Sequence, residues 1–305
     1  MWRHITWATD FSELSDAALY FVLPLAKQMG SNVALVHCIP NIAAAYTSGQ
    51  LLEPLPAEIP ILMGNVLAQI REEAIERLEA KASELRSMGI GVEVHILQGD
   101  AHHAVIEFAH KSETDLIAIG TKGVSGIGEK LLGSTTARII QGSDKPVLSI
   151  NQPRKPKLES MLVPTDLSEA SSFALSYAIA LAKLIGASVH VLHVMELLEA
   201  IGERETVNRL EVMVKAKLEV MAEAANGISD KTHIHALKRH HAAEGILEFV
   251  DENNIDLVIM TTHGRTGLAR FLWGSVAERV IRECSAPVIA ARAKAFERAL
   301  SKRAL

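Results

Sequence analysis

At 305 residues the chain is long enough for two domains of ordinary size, and its 49% apolar fraction can supply two cores. A formal charge of −5 at pH 7 gives no overall basic field, so nucleic acid and anionic membranes are excluded as first readings. No run approaches 18 uncharged apolar residues, MWRHITWATD reads as no secretory leader, and Cys38 and Cys284 sit at no metal or redox spacing; a cytoplasmic address is expected.

In chain order, short apolar runs bounded by turn or polar residues predict strands at Ile5–Ala8, Val33–Cys38, Val92–Leu97, Leu116–Ile119 and Val147–Ile150. Between them lie helical segments: Ser15–Met29 with a local kink expected at Pro24, Asn65–Ser87, Ala101–Lys111 and Ser134–Gly142. In the second of these, Ile70, Ala74, Leu78, Ala82 and Leu85 form one stripe with charges opposite, the pattern of an amphipathic surface helix. Strands separated by helices imply parallel pairing through right-handed crossovers and a doubly wound α/β sheet.

The pattern then repeats. Ile5–Ile39 aligns with Met161–Met195 at an offset of 156, and Val105–Gly123 with Ile246–Gly264 at an offset of 141. The first copy therefore carries about 15 extra residues, which the proline- and small-residue-rich stretch Pro40–Gly64 accommodates. The expected units are residues 1–152 and 158–292, with Asn151–Ser160 read as a solvated connector and 293–305 as a basic tail forming a solvated or packed helix.

The segment IAIGTKGVSGIGEKLLGST, Ile117–Thr135, places five glycines between a strand and a helix. Backbone without Cβ approaches a phosphate closely, and free N–H groups at a helix start favour an anion; Ser134 and Thr135 add hydroxyls. The spacing is neither a Walker loop nor the G-x-G-x-x-G dinucleotide fingerprint. Gly120-x2-Gly123-x9-Gly133-Ser134 instead resembles the G-2x-G-9x-G-[ST] motif of ATP-binding members of the universal stress protein family. The resemblance extends over nearly the whole chain: TDFSELSDAAL and TDLSEASSFAL, VALVHCI and VHVLHVM, KPVLSI and APVIAA occur in the same order in both copies.

That resemblance implies two tandem Rossmann-like domains related by a pseudo-twofold, each a five-stranded parallel sheet of order 3-2-1-4-5 with helices on both faces. It also implies ATP, with Mg²⁺, held between the ends of the first and fourth strands. Tandem members resemble a fused homodimer; a further homodimer and an unidentified regulatory partner are the expected associations. Asp10, with Thr9 before it, is placed beside the adenosine, although an aspartate here satisfies an Asx turn or helix cap unaided. Cys38 is placed with its main chain at the adenine edge and its thiol as inert wall, and Gly99 near the nucleotide with Asp100 following it. Gly120, Gly123, Gly133, Ser134 and Thr135 are placed around the phosphates. Lys122 is read either as a phosphate-neutralising or as a solvated loop lysine. His102 and His103, at a helix start, suit surface or capping roles better than a metal pair.

In the second copy Thr165, Asp166, Val194, Gly264, Gly274 and Ser275 occupy matching positions, while Thr261 stands at Gly120 and His240 at Gly99. A β-branched residue resists positive φ and brings a Cβ toward the ligand space, so nucleotide binding there is expected to be weak or absent. His233 and His235 share one strand face, near His240 and His241, without a cysteine or carboxylate at ligand spacing, so no metal site is assigned. Neither copy shows a catalytic base, a Walker lysine or paired carboxylates beside the glycines. The expected role is a stress-response regulator with little or no turnover; a slow ATPase and a nucleotide-free scaffold remain as alternatives.

Overall fold

The computed structural model describes residues 1–41, 58–122, 132–196, 204–226, 229–263 and 274–302. The first half runs β1 (His4–Thr9), α1 (Glu13–Met29), β2 (Asn32–Ile39), α2 (Glu58–Ser87), β3 (Gly91–Gln98), α3 (Ala101–Lys111), β4 (Leu116–Gly120), α4 (Ser134–Gly142) and β5 (Val147–Ile150). The second repeats it as β6 (Ser160–Pro164), α5 (Glu169–Ile185), β7 (Ser188–Glu196), α6 (Arg204–Ala224), β8 (Thr232–Arg239), α7 (Ala242–Glu252), β9 (Leu257–Thr261), α8 (Ser275–Glu283) and β10 (Val288–Ala291). A final helix, α9 (Ala293–Ser301), has no counterpart in the first half.

Local chemistry sets the same limits twice. Ser12 and Ser168 cap α1 and α5 by accepting from the amides of Ser15 and Ser171, and Gly30 (φ 64°) and Gly186 (φ 77°) close them in the left-handed region. Helix α1 continues through Pro24, which lies on its exposed side. Helix α2 begins seven residues before the expected Asn65, so part of the supposed insertion is helical. Pro60 falls in its first turn, where a missing N–H leaves no intrahelical bond unmade.

Each half orders its strands 3-2-1-4-5, and the halves join into one ten-stranded sheet, β3-β2-β1-β4-β5-β10-β9-β6-β7-β8. Among the described residues only β5 and β10 pair antiparallel, with Leu148 opposite Ile289 and Ser149 opposite Val288. Two copies of a parallel sheet meeting edge to edge about a twofold axis give this reversal, and the β5 edge is thereby used within the chain.

The core forms two layers, each spanning both halves. Helices α1, α2, α5, α6 and α9 cover one face, around Trp7, Phe21, Leu78, Tyr177 and Phe296; α3, α4, α7 and α8 cover the other, around Ile117, Ile139, Phe249 and Val288. Trp2 Nε1 donates to Tyr177 Oη across the halves at 2.6 Å, and the Phe296 ring lies 4.9 Å from that of Tyr177. The tail is thus a packed helix. Arg292 donates to the carbonyls of Gly142 and Ser143 at 3.1 Å, and Arg298 reaches Asp144 at 3.3 Å. The connector is also pinned rather than simply solvated: Asn151 Nδ2 donates to Ile281 O at 2.7 Å and Arg154 to Ile255 O at 2.8 Å.

Candidate functional site

After β1 the chain must turn sharply into α1. Thr9 Oγ1 accepts from Phe11 N at 2.8 Å and Asp10 Oδ1 from Ser12 N at 3.1 Å, which holds Phe11 at φ 63°. The second half repeats the turn: Thr165 Oγ1 accepts from Leu167 N at 3.0 Å and Asp166 Oδ1 from Ser168 N at 3.1 Å, with Leu167 at φ 65°. Left-handed backbone at a bulky residue is costly, and two side-chain acceptors hold it in each half. Asp10 and Asp166 are Asx-turn residues, and the helix caps are the serines two positions on.

A residue pair missed in the sequence completes this turn. His37 Nδ1 donates to Thr9 O, and His193 Nδ1 to Thr165 O, each at 2.8 Å. A carbonyl only accepts, so each ring carries a hydrogen on Nδ1. The available signal was the same histidine at the end of the second strand in both copies. The next residue, Cys38, is half-buried and donates through Sγ to Gly99 O at 3.4 Å. Burial first, and the Asp100 charge second, push its thiol up, so it remains protonated and unreactive at neutral pH.

Gly99 sits at φ 123°, a conformation that requires glycine, and its N–H donates to Ile39 O at 3.0 Å. Asp100 caps α3 by accepting from His102 N at 3.1 Å and also pairs with the His102 ring, so His102 belongs to the cap. Among the described residues no group of three or more side chains is arranged as a metal site.

At the fourth strand, Gly133 N donates to Thr121 O at 2.7 Å and Thr136 Oγ1 to Gly120 O at 2.8 Å, which ties the start of α4 to the end of β4. Ser12 Oγ donates to Lys122 O at 3.5 Å, bringing the β1 turn against this segment. Among the described residues no side chain caps α4, whose first residues Ser134 and Thr135 are exposed. An uncapped helix start beside a strand end is an anion-binding arrangement, and these two hydroxyls add donors. The structure therefore brings Thr9, Asp10, Lys122, Gly133 and Ser134 to one end of the sheet, with Cys38 and Gly99 on the neighbouring strand end. Gly123 and Gly264 lie outside the described residues.

The expectation of positive φ at Gly120 is corrected. Its φ is not positive, and a Cβ there would lie 2.8 Å from Leu14 C and Ser15 N. It is glycine because the first turn of α1 packs on it. In the second half Thr261 stands on β9, and the smaller Ala170 takes the position matching Leu14. Thr261 does not fill the expected ligand space: a cleft of about 490 Å³ remains, lined by Thr165, Asp166, His193, Val194, Gly274 and Ser275, with Thr261 in its wall. The match of His240 with Gly99 is also corrected. Cys38 pairs with Leu97 and Val194 with Leu237, yet α3 and α7 begin at Ala101 and Ala242, so the second half has one more residue in this turn. His240 consequently has no positive φ. Glu196 Oε1 accepts from Ala242 N at 2.7 Å and replaces the cap that Asp100 provides in the first half.

A match to the universal stress protein family covers residues 1–151 and 157–292. A universal stress protein of Methanocaldococcus jannaschii is 34% identical over 156 residues, 51% of this chain and 85% of the relative. One of Mycolicibacterium smegmatis is 24% identical over 297 residues, covering 93% of this chain and 95% of the relative. Among solved structures, a universal stress protein of Archaeoglobus fulgidus, 25% identical, aligns with a TM-score of 0.70 over 95% of this chain and 98% of that one.

Proposed function

The chain belongs to the universal stress protein family, and on that premise we propose that it is an ATP-binding regulatory protein of stress responses, with ATP held mainly in its first half. The observation that carries this reading is the start of α4, uncapped by any side chain among the described residues and fixed against β4 through Gly133 N–H and Thr121 O at 2.7 Å. Amides of that first turn, with the hydroxyls of Ser134 and Thr135, hold the phosphates; Lys122 and Mg²⁺ offset their charge. Thr9 and Asp10 meet the ribose, and Cys38 and Gly99 border the base. The second cleft, with Val276 in place of Thr135, takes nucleotide more weakly. The absence of a motif-level general base supports a binding role with little or no turnover.

The test is mass spectrometry of nucleotide released on denaturing freshly purified protein, followed by calorimetric titration with Mg·ATP. About one equivalent of ATP per chain is expected. Retained ADP would redirect the reading to slow hydrolysis, and no nucleotide with a flat titration would overturn it in favour of a scaffold.

A further inference from the structure

In the second half, β7 and β8 carry three imidazoles on one face. His190 Nδ1 lies 3.0 Å from His235 Nε2, and the His190 ring centroid is 4.9 Å from that of His233. Phe249 of α7 closes over two of them, 4.8 Å from His235 and 5.9 Å from His190, while His233 is exposed beside His190. Strand register gives the first-half counterparts as Ala34, Glu93 and His95. His95 keeps the same place over an aromatic ring, 4.7 Å from Phe108, but faces Glu93 Oε2 at 3.2 Å. The fold therefore requires neither His190 nor His233. One half sets a carboxylate beside its histidine, and the other sets two more histidines there.

A neutral His190–His235 pair uses one hydrogen, with one nitrogen donating and the other accepting. A second added proton makes both nitrogens donors that repel. Burial first, then His235 and His233, hold His190 down to about 4; burial, His233 and Lys215 of α6 lower His235. Nearby carboxylates are engaged elsewhere. Glu248 pairs with Arg239, on which Glu244 and Glu252 also act; Asp251 accepts from Ser285; Glu211 is held by Lys215 and Lys238; Glu196 caps Ala242.

His190 and His235 stay neutral in the packed state but return to an ordinary histidine value when α7 lifts, so the opened state binds more protons. Docking is complete above about pH 6.5 and is lost as pH falls toward the depressed value. Phe249 lies one turn beyond Ile246, which with Ala242 lines the second cleft. We propose that His190 and His235, with His233 beside His190, form an acid-sensitive latch beneath α7, so that acidification loosens this helix and the wall of the second cleft while the first half stays closed.

Hydrogen–deuterium exchange on the full chain without nucleotide tests this independently of the ATP reading. After correction for intrinsic rates, α7 amides should lose roughly tenfold or more of their protection between about pH 7 and pH 5, and α3 amides should not. His190→Ala, which copies Ala34, should remove most of that response. His233→Glu, which copies Glu93, should flatten it as well and carries the test if the first variant does not fold. Equal changes in α7 and α3, or an undiminished response in the variants, would overturn the latch.

Discussion

The two halves make the same turn after their first strand and differ at the fourth. Both keep the threonine, aspartate and left-handed residue ahead of α1 or α5, and both donate a histidine Nδ1–H to the same carbonyl. At the fourth strand Gly120 admits the backbone of α1 in one half, whereas the other carries Thr261, with Ala170 at the sequence position matching Leu14. The second half nevertheless keeps an open cleft at its strand ends. A strand-end opening is therefore a property of the sheet topology, and the motif glycines govern how closely helix, loop and ligand approach it.

The largest expected effect tests α9, which among the described residues is present in only one half. Phe296→Ala removes a fully buried ring that packs on Tyr177 and should cost about 4 kcal/mol in chemical denaturation. A loss under about 1 kcal/mol would show that α9 does not fasten the halves together.

Next is ligand binding. A Cβ at Gly133 would sit 3.0 Å from Thr121 O, against 3.5 Å from Thr262 O for Gly274. Gly133→Val should weaken Mg·ATP binding roughly 100-fold, about 2.7 kcal/mol by calorimetry, and Gly274→Val less than tenfold. Equal losses would erase the ranking of the two sites.

A reciprocal exchange sharpens the packing comparison. Gly120→Thr forces atoms into the first turn of α1 and should cost about 2 kcal/mol, whereas Thr261→Gly should cost only about 1 kcal/mol from added chain freedom and lost packing. The smallest difference is expected at the caps. Ser12→Ala and Ser168→Ala should each cost about 1 kcal/mol, because both hydroxyls accept from the same amide of their helix. Unequal losses would show that the turns are less alike than their geometry.

Much of the fold was legible because its signals are local. Apolar runs of strand length, the amphipathic stripe ending at Leu85 and the repeat offset gave the element order, and the glycine spacing pointed to the end of β4. The turn beside the site was less legible. His37 and His193 act through a carbonyl brought close by strand pairing, and Gly120 answers to a helix turn more than 100 residues earlier in the chain. The shift that separates Gly99 from His240 appears only when strand register and helix start are compared.

The sequence by itself determined the duplication, the alternation of strands and helices, and a glycine-marked strand end, because periodicity and turn chemistry act over a few residues. Only the tertiary structure decided that β5 pairs with β10, that α9 packs on α5 and reaches the first half, and that His190 and His235 meet under Phe249. Those outcomes depend on which edges and faces remain unpaired once each half has folded, a matter of geometry between distant residues.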